Sequence, residues 1–267
     1  MRMLPQMSAT ILAFLAAASG IQTGWADQFA DDHADGPVGA TPANFGGSTA
    51  GSVEIFIDRD FFSFTVQGGT QYTITATPTT LDDLTVLVRS SDGEGVAQEA
   101  HSVGAAAAVL EYVQPSGSFP CFVDVRGFAD FAIGAYTIQF QQGAIVDTDL
   151  DDLPDVWEQQ FFNTLANGPG GDADGDEMTN EEEYLAGTNP ASASSLLVVT
   201  EVDVAGPLPQ VTWSSSPLRR YHVQSNSTFP TGNWVTMGTV TGFSVSATFD
   251  DPAGSAPNRA YRVEIAP

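Results

Sequence analysis

Apolar and polar positions alternate in short runs along the first half of the chain: Val53–Ile57, Phe61–Val66, Gln71–Thr77, Leu84–Ser90, Val96–Ala100, Val109–Val113, Phe119–Arg126 and Gly134–Phe140. A period of two over a handful of residues marks strands with one buried face. The turn pairs Gly68-Gly69, Asp92-Gly93 and Ser116-Gly117 punctuate these runs. No helical period separates them, so residues 27–142 are predicted to form an antiparallel β-sandwich. Alternation returns in Leu196–Val204, Gln210–Trp213, Arg220–Gln224, Trp234–Met237, Ser244–Phe249 and Ala260–Ile265. These six runs predict a second, smaller sandwich over residues 193–267.

Between the two β zones, residues 143–192 follow a different rule. Trp157, Phe161 and Leu165 recur at the spacing of one helix face, which predicts a helix over Val156–Asn167 closed by Gly168. A shorter helix is expected over Asn180–Ala186, stopped by Gly187-Thr188-Asn189-Pro190. At the other end, Met1–Ala26 reads as a signal peptide: Arg2, a short apolar run from Ile11 to Ala18, and small residues in Gly24-Trp25-Ala26. The apolar run falls short of the about 20 residues that span a bilayer. The expectation is therefore a secreted or cell-surface protein with no membrane span. The fold class is mainly β, with a loop–helix connector between two sandwiches.

The chain of 267 residues carries 33 acids and 8 bases, a formal charge of −25. Nucleic acid and anionic lipid are recognised through clustered Lys and Arg, so this balance argues against both. A chain that is 42% apolar and 15% charged is not generally disordered. The single cysteine, Cys121, excludes an internal disulfide and a Cys-rich zinc cluster; its apolar alternation places it in the core.

The acids are not spread evenly. Residues 147–183 hold 13 of them, and no base occurs between Arg126 and Arg219. Two twelve-residue windows in this zone have the spacing of an oxygen cage. Asp147, Asp149, Asp151, Asp155 and Glu158 stand at loop positions 1, 3, 5, 9 and 12; Asp172, Asp174, Asp176, Asn180 and Glu183 repeat them 25 residues later. Backbone carbonyls of Leu153 and Met178 fall at position 7. Six to eight oxygens of this kind suit calcium (Ca2+). Position 6 normally needs glycine for its positive φ, and here it is Asp152 and Glu177. Helix capping accounts for Asp155, Glu158, Asn180 and Glu183 as well as metal binding does. It does not account for the six aspartates at positions 1, 3 and 5, which repel one another without a counter-ion.

These residues, with Leu153-Pro154-Asp155-Val156-Trp157-Glu158 and Leu185-Ala186-Gly187-Thr188-Asn189-Pro190, resemble the bacterial thrombospondin type 3-like calcium repeat. That family's glycines at positions 4 and 6 of the first loop are replaced by Leu150 and Asp152. A dockerin also has two loop–helix units; Glu at position 12 and Pro154 favour the type 3 repeat. The first β zone is similar to the bacterial pre-peptidase C-terminal (PPC) domain through Ile57-Asp58-Arg59-Asp60-Phe61-Phe62, Gly68-Gly69-Thr70 and Val123-Asp124-Val125-Arg126-Gly127. That resemblance implies a jelly-roll-like, non-catalytic accessory sandwich, and a second candidate cation site near Asp31, Asp32 and Asp35, residues that read equally as a polar tail after the signal peptide. The last zone looks like a small fibronectin-III or immunoglobulin-like domain.

No catalytic constellation emerges. His33, His101 and His222 lie in three unrelated contexts, and no Gly-x-Ser-x-Gly occurs. The expectation is a non-catalytic, calcium-binding module for extracellular or cell-surface adhesion or scaffolding, in which metal loading fixes the orientation of the two sandwiches. The alternative is a carbohydrate- or polymer-binding accessory of secreted hydrolases. The partner on either reading is an extracellular protein or polysaccharide. Phe61, Phe62, Tyr221 and Trp234 are candidates for a sugar platform, although alternation favours the core for them.

Overall fold

A computed structural model describes residues 32–55, 58–128, 132–254 and 259–267. The expected signal peptide and Asp31 lie outside them. The described chain is mainly β, as its alternation predicts.

Nine strands build the first sandwich: β1 (Thr41–Pro42), β2 (Ser48–Val53), β3 (Arg59–Gln67), β4 (Thr70–Pro78), β5 (Leu84–Arg89), β6 (Val96–His101), β7 (Ala108–Gln114), β8 (Ser118–Gly127) and β9 (Gly134–Ala144). One sheet runs β1-β3-β8-β5-β6 and the other β2-β9-β4-β7. Tyr72, Ile74 and Ala76 of β4 meet Phe119, Cys121, Val123 and Val125 of β8 across a closed core. The first strand departs from the expected Val53–Ile57. The paired segment is Ser48–Val53, because Gly51 lies under the Tyr136 ring and a Cβ there would meet Tyr136 Cζ at 2.4 Å. Close approach of a ring demands small residues, so this strand shows no apolar alternation. Phe56 and Ile57 of the expected run lie outside the described residues, and beside them Glu54 N–H donates to Asp58 Oδ2 at 2.7 Å.

The connector holds α1 (Asp155–Phe162) and α2 (Asn180–Ala186). The first is shorter than expected. Asn163 adopts φ 56° and donates its N–H to Gln159 O, so the helix stops one turn early and Leu165 lies beyond it. Asparagine tolerates this left-handed end position. In α2 the cap is Thr179, not Asn180. Its hydroxyl accepts from Glu182 N–H, and Glu182 reaches back to the Thr179 N–H, closing a capping box. Leu153, Tyr184, Val156, Trp157 and Leu185 form a small core together with Val113 of β7, which seats the connector on the first sandwich.

Six strands complete the chain: β10 (Val199–Asp203), β11 (Gln210–Ser214), β12 (Arg219–Asn226), β13 (Val235–Gly242), β14 (Ser246–Asp250) and β15 (Ala260–Ile265). They pair as β10-β11-β14 and β13-β12-β15. Val211, Trp213, Tyr221 and Val223 fill the space between the two sheets. Trp213 and Tyr221 meet edge to face, with centroids 5.8 Å apart.

The two sandwiches also touch directly, at the turn before β12. Leu218 sits at φ 59°, 2% exposed, within the core cluster of the first sandwich. Its carbonyl accepts from Gln114 Nε2 at 3.1 Å. Beside it, the buried Arg219 donates through Nε to Leu185 O (2.9 Å) and through Nη1 to Tyr112 Oη (3.3 Å). One guanidinium thus reaches the end of α2 and the first sandwich from a strand of the second. A further contact runs from Ser90 Oγ to Phe243 O at 3.1 Å. It is so close that a Cβ on Gly95 would lie 1.6 Å from that carbonyl.

Leu218→Ala is expected to lower the unfolding free energy by about 2–4 kcal/mol through the cavity it leaves. Gly95→Ala is expected to act in the same direction through overpacking, by about 1–3 kcal/mol. Urea unfolding followed by tryptophan fluorescence measures both. Wild-type midpoints in the two variants would show that the sandwiches do not depend on this contact.

Candidate metal centre

The two acidic windows fold into the same shape. Asp147 Oδ1 accepts the N–H groups of Leu150 (2.8 Å) and Asp151 (3.3 Å), and Oδ2 accepts that of Asp152 (3.0 Å). Asp172 does the same for Gly175 (2.7 Å), Asp176 (3.2 Å) and Glu177 (3.0 Å). Asp151 Oδ1 accepts from Leu153 N–H and Asp176 Oδ1 from Met178 N–H, at 2.9 and 2.8 Å. Positions 4 and 6 take positive φ in both loops: 63° and 76° at Leu150 and Asp152, 81° and 79° at Gly175 and Glu177. The backbone therefore adopts the glycine geometry at position 6 without glycine. Three amides held by one carboxylate offset the cost, about 1–2 kcal/mol for each such non-glycine residue.

This turn draws the expected residues together. Oxygens of Asp147, Asp149 and Asp155 lie within 4.8 Å of one another, as do those of Asp149, Asp151 and Glu158, and those of Asp172, Asp174 and Asp176. Asp155 also accepts from Thr148 N–H (2.7 Å) and Oγ1 (2.5 Å), which ties the start of the loop to the start of α1. Leu153 and Met178 occupy position 7, and the Leu153 side chain is fully buried in the connector core.

The position-12 residues behave unlike ordinary glutamates. Glu158 and Glu183 are both fully buried. Neither Glu158 oxygen has a hydrogen-bond partner among the described residues, and neither does Glu183 Oε2. Glu183 Oε1 accepts from Thr188 Oγ1 at 3.1 Å. Both oxygens of Asp174, Asp176 Oδ2 and Asn180 Oδ1 are likewise buried and unpartnered. Asn180 is anchored from its other end, Nδ2 donating to Gly168 O at 2.8 Å. Burial of a carboxylate without a partner costs several kcal/mol. It pushes the Glu158 carboxyl up to about 7, helped by Asp151 and Asp149. Glu183 is also pushed up to about 7 by burial, the Thr188 hydrogen bond opposing and the charges of Asp174 and Asp176 reinforcing it. The donor set is all oxygen, with buried unpaired oxygens at positions 3, 5, 9 and 12 of the second loop and 12 of the first. That is the donor chemistry of a hard divalent cation.

The amino-terminal acids are arranged differently. Asp32 Oδ1 and Asp35 Oδ1 each accept a long backbone hydrogen bond, from Ser52 and Arg59 at 3.4 Å. Asp58 is pushed up to about 9 by burial and by contact with Glu54 and Asp35. The residues that sequence reasoning missed are the clamps: Thr148, Thr179 with Glu182, and Thr188. The Thr179-x-x-Glu182 spacing carried the signal for one of them.

No protein-family description matches the chain, and no curated protein does. Among solved structures it is similar to the pre-peptidase C-terminal domain of a collagenase from Bacillus anthracis, at 15% identity and a TM-score of 0.32 over 38% of this chain and 93% of that one. It is also similar to PliG, a periplasmic inhibitor of g-type lysozyme from Aeromonas hydrophila, at 10% identity and a TM-score of 0.26 over 38% of this chain and 96% of that one. Among the described residues no helix is long and apolar enough to cross a membrane.

In a chelator, Glu158, Glu183 and Asp58 hold more protons folded than unfolded, since their folded values lie above the ordinary carboxylate range. Stability is then expected to rise as pH is lowered from 8 towards 5, where the folded state gains protons that the unfolded state does not yet bind. Glu158→Gln is expected to raise stability at pH 8 and to flatten this slope. Chemical denaturation at a series of pH values measures it, and a slope of the opposite sign would contradict the burial described above.

Proposed function

We propose that the connector binds two calcium ions, one in each loop. On this reading the chain is an exported, non-catalytic modular protein that acts in adhesion or scaffolding outside the cell. The observation that carries the metal assignment is the repeated loop. Two segments 25 residues apart close the same three amides on their first aspartate and leave the position-12 glutamate buried with unpartnered oxygen. A solvated acidic spacer has no reason to bury those oxygens, because each costs free energy that only a counter-charge recovers.

The roles of the residues follow from their surroundings. Asp147 and Asp172 shape the loops and offer their remaining lone pairs. Asp149, Asp151, Asp174 and Asp176 contribute carboxylate oxygens. Leu153 and Met178 contribute carbonyls, Asp155 and Asn180 the ninth-position oxygen, and Glu158 and Glu183 both oxygens where geometry allows. A bound calcium ion supplies the positive charge that offsets carboxylate repulsion. The link to architecture runs through α2: Glu183 faces the second loop, and the carbonyl of Leu185 two residues on receives Arg219 of the second sandwich. The second loop and the joint between sandwiches are thus built on one short helix, which suits a module whose work is to hold neighbours at fixed orientation. The partner on this reading is an extracellular protein or polysaccharide.

Calorimetric titration with calcium is expected to give two sites with dissociation constants near ~10⁻⁴–10⁻³ M or tighter. Asp147→Ala and Asp172→Ala are each expected to reduce the stoichiometry from two to one while both sandwiches stay folded. At free calcium ~100-fold above Kd, each site adds about 2.7 kcal/mol to the unfolding free energy. Absence of heat, or a stoichiometry unchanged by either substitution, overturns the assignment.

A further inference from the structure

Of the four aromatics expected as sugar-platform candidates, Phe61, Phe62 and Tyr221 are buried, and only Trp234 reaches the surface. It stands at one end of the outer face of the sheet β13-β12-β15. The inner face of that sheet carries the core residues Tyr221, Val223 and Val263. The outer face carries the cross-strand rows Thr236–Gln224–Arg262 and Thr239–His222–Glu264, and beyond them the pair Thr241–Arg220, whose guanidinium lies 5.2 Å from the Phe119 ring centroid of the first sandwich. Thr236, Thr239 and Arg262 are exposed. The rows are wired together. Gln224 Oε1 accepts from Arg262 Nε at 2.8 Å, while its Nε2 donates to Thr236 Oγ1 at 3.2 Å and to Glu264 Oε1. His222 Nδ1 lies 3.0 Å from Thr239 Oγ1. Next to Gln224, the Arg262 guanidinium lies 4.7 Å from the Trp234 ring centroid. Phe229 follows, 6.2 Å from Trp234 and tilted by 54°, with 56% of its surface exposed.

We propose that this face binds a neutral polysaccharide strand, with Phe229 and Trp234 as the stacking end and Thr236, Arg262, Thr239 and His222 as the hydrogen-bonding track, held from beneath by the buried Gln224. Three observations support that occupant. The polar groups are held in place by one another before any ligand arrives, so little side-chain freedom is lost on binding. The apolar and polar parts lie in the reverse order of a protein interface, which centres on apolar anchors inside a polar rim; here the polar rows fill the middle and the rings stand at one end. Arg262 and Glu264 pair at 3.5 Å and the Arg220 guanidinium turns onto the Phe119 ring, while the chain as a whole carries −25 and repels polyanions. A sugar chain offers what remains: ring faces of C–H for stacking, and hydroxyls that both donate and accept. The proposal is independent of the calcium reading, since no residue of the face belongs to either loop.

Depletion isotherms with insoluble cellulose and with chitin, and with polygalacturonate as the charged comparator, test it on the full purified chain. The expected result is saturable binding to at least one neutral polymer, weakened tenfold or more by Phe229→Ala and by Arg262→Ala. Phe229 and Arg262 are exposed, so their replacement leaves the sandwich folded, which circular dichroism checks. No saturable binding to either neutral polymer overturns the proposal. So does binding to polygalacturonate alone, or an isotherm that neither substitution moves.

Discussion

The Arg219 guanidinium is the point at which the two sandwiches and the connector are tied together. It leaves β12, donates to the last carbonyls of α2, and meets the Tyr112 hydroxyl, which in turn donates to Gln114 Oε1 at 2.6 Å. Gln114 closes the circuit by holding the Leu218 carbonyl. A buried cation normally needs a carboxylate. Here the compensation comes from the carbonyl end of a helix, where the backbone dipole is negative. That arrangement explains why Gly187 must end α2 in the left-handed region at φ 73°: a longer helix would tie up the carbonyls that Arg219 uses. It also explains the pairing of Leu218 with Arg219, one apolar plug and one polar clasp on consecutive residues.

The connector lives with a conflict that the sandwiches do not have. Its acids crowd onto two tight turns and its aromatics form a core too small to hold them by itself. The conflict is managed locally. Each first aspartate binds three amides, Thr148 ties Asp155 back, and Thr188 holds one oxygen of Glu183. What remains unsatisfied is concentrated in a few buried oxygens. Elsewhere a buried carboxylate is met by charge within the protein: Oδ2 of the fully buried Asp124 receives both Arg59 and Arg89, although its Oδ1 has no hydrogen-bond partner among the described residues. Asp124 thus has two guanidinium groups against it, whereas Glu158 has only other carboxylates.

Much of this was legible in the residues. Alternation located nearly every strand, because a sheet with one buried face writes its period directly into the sequence. The spacing of the acids located both loops and all their position-12 glutamates. Strand β2 was not legible, since its contact with Tyr136 requires Gly51 in place of apolar side chains. The end of α1 was misplaced because Asn163, and not the more obvious Gly168, takes the left-handed conformation. Glycine at position 6 proved unnecessary: the first aspartate enforces the turn on Asp152 and Glu177. The joint itself had a signal that went unread. Arg219-Arg220 are the first bases after Arg126, and positive charge following so long an acidic stretch has a natural place against it. Long-range packing such as that of Leu218 has no local pattern at all.

The amide clamps on Asp147 and Asp172 have a consequence for how such a connector responds to its surroundings. A turn whose backbone is fixed by its own first side chain has little chain entropy left to lose in any later contact. Such a part resembles a rivet more than a hinge: it holds the chain on either side to one outline and does not flex between two.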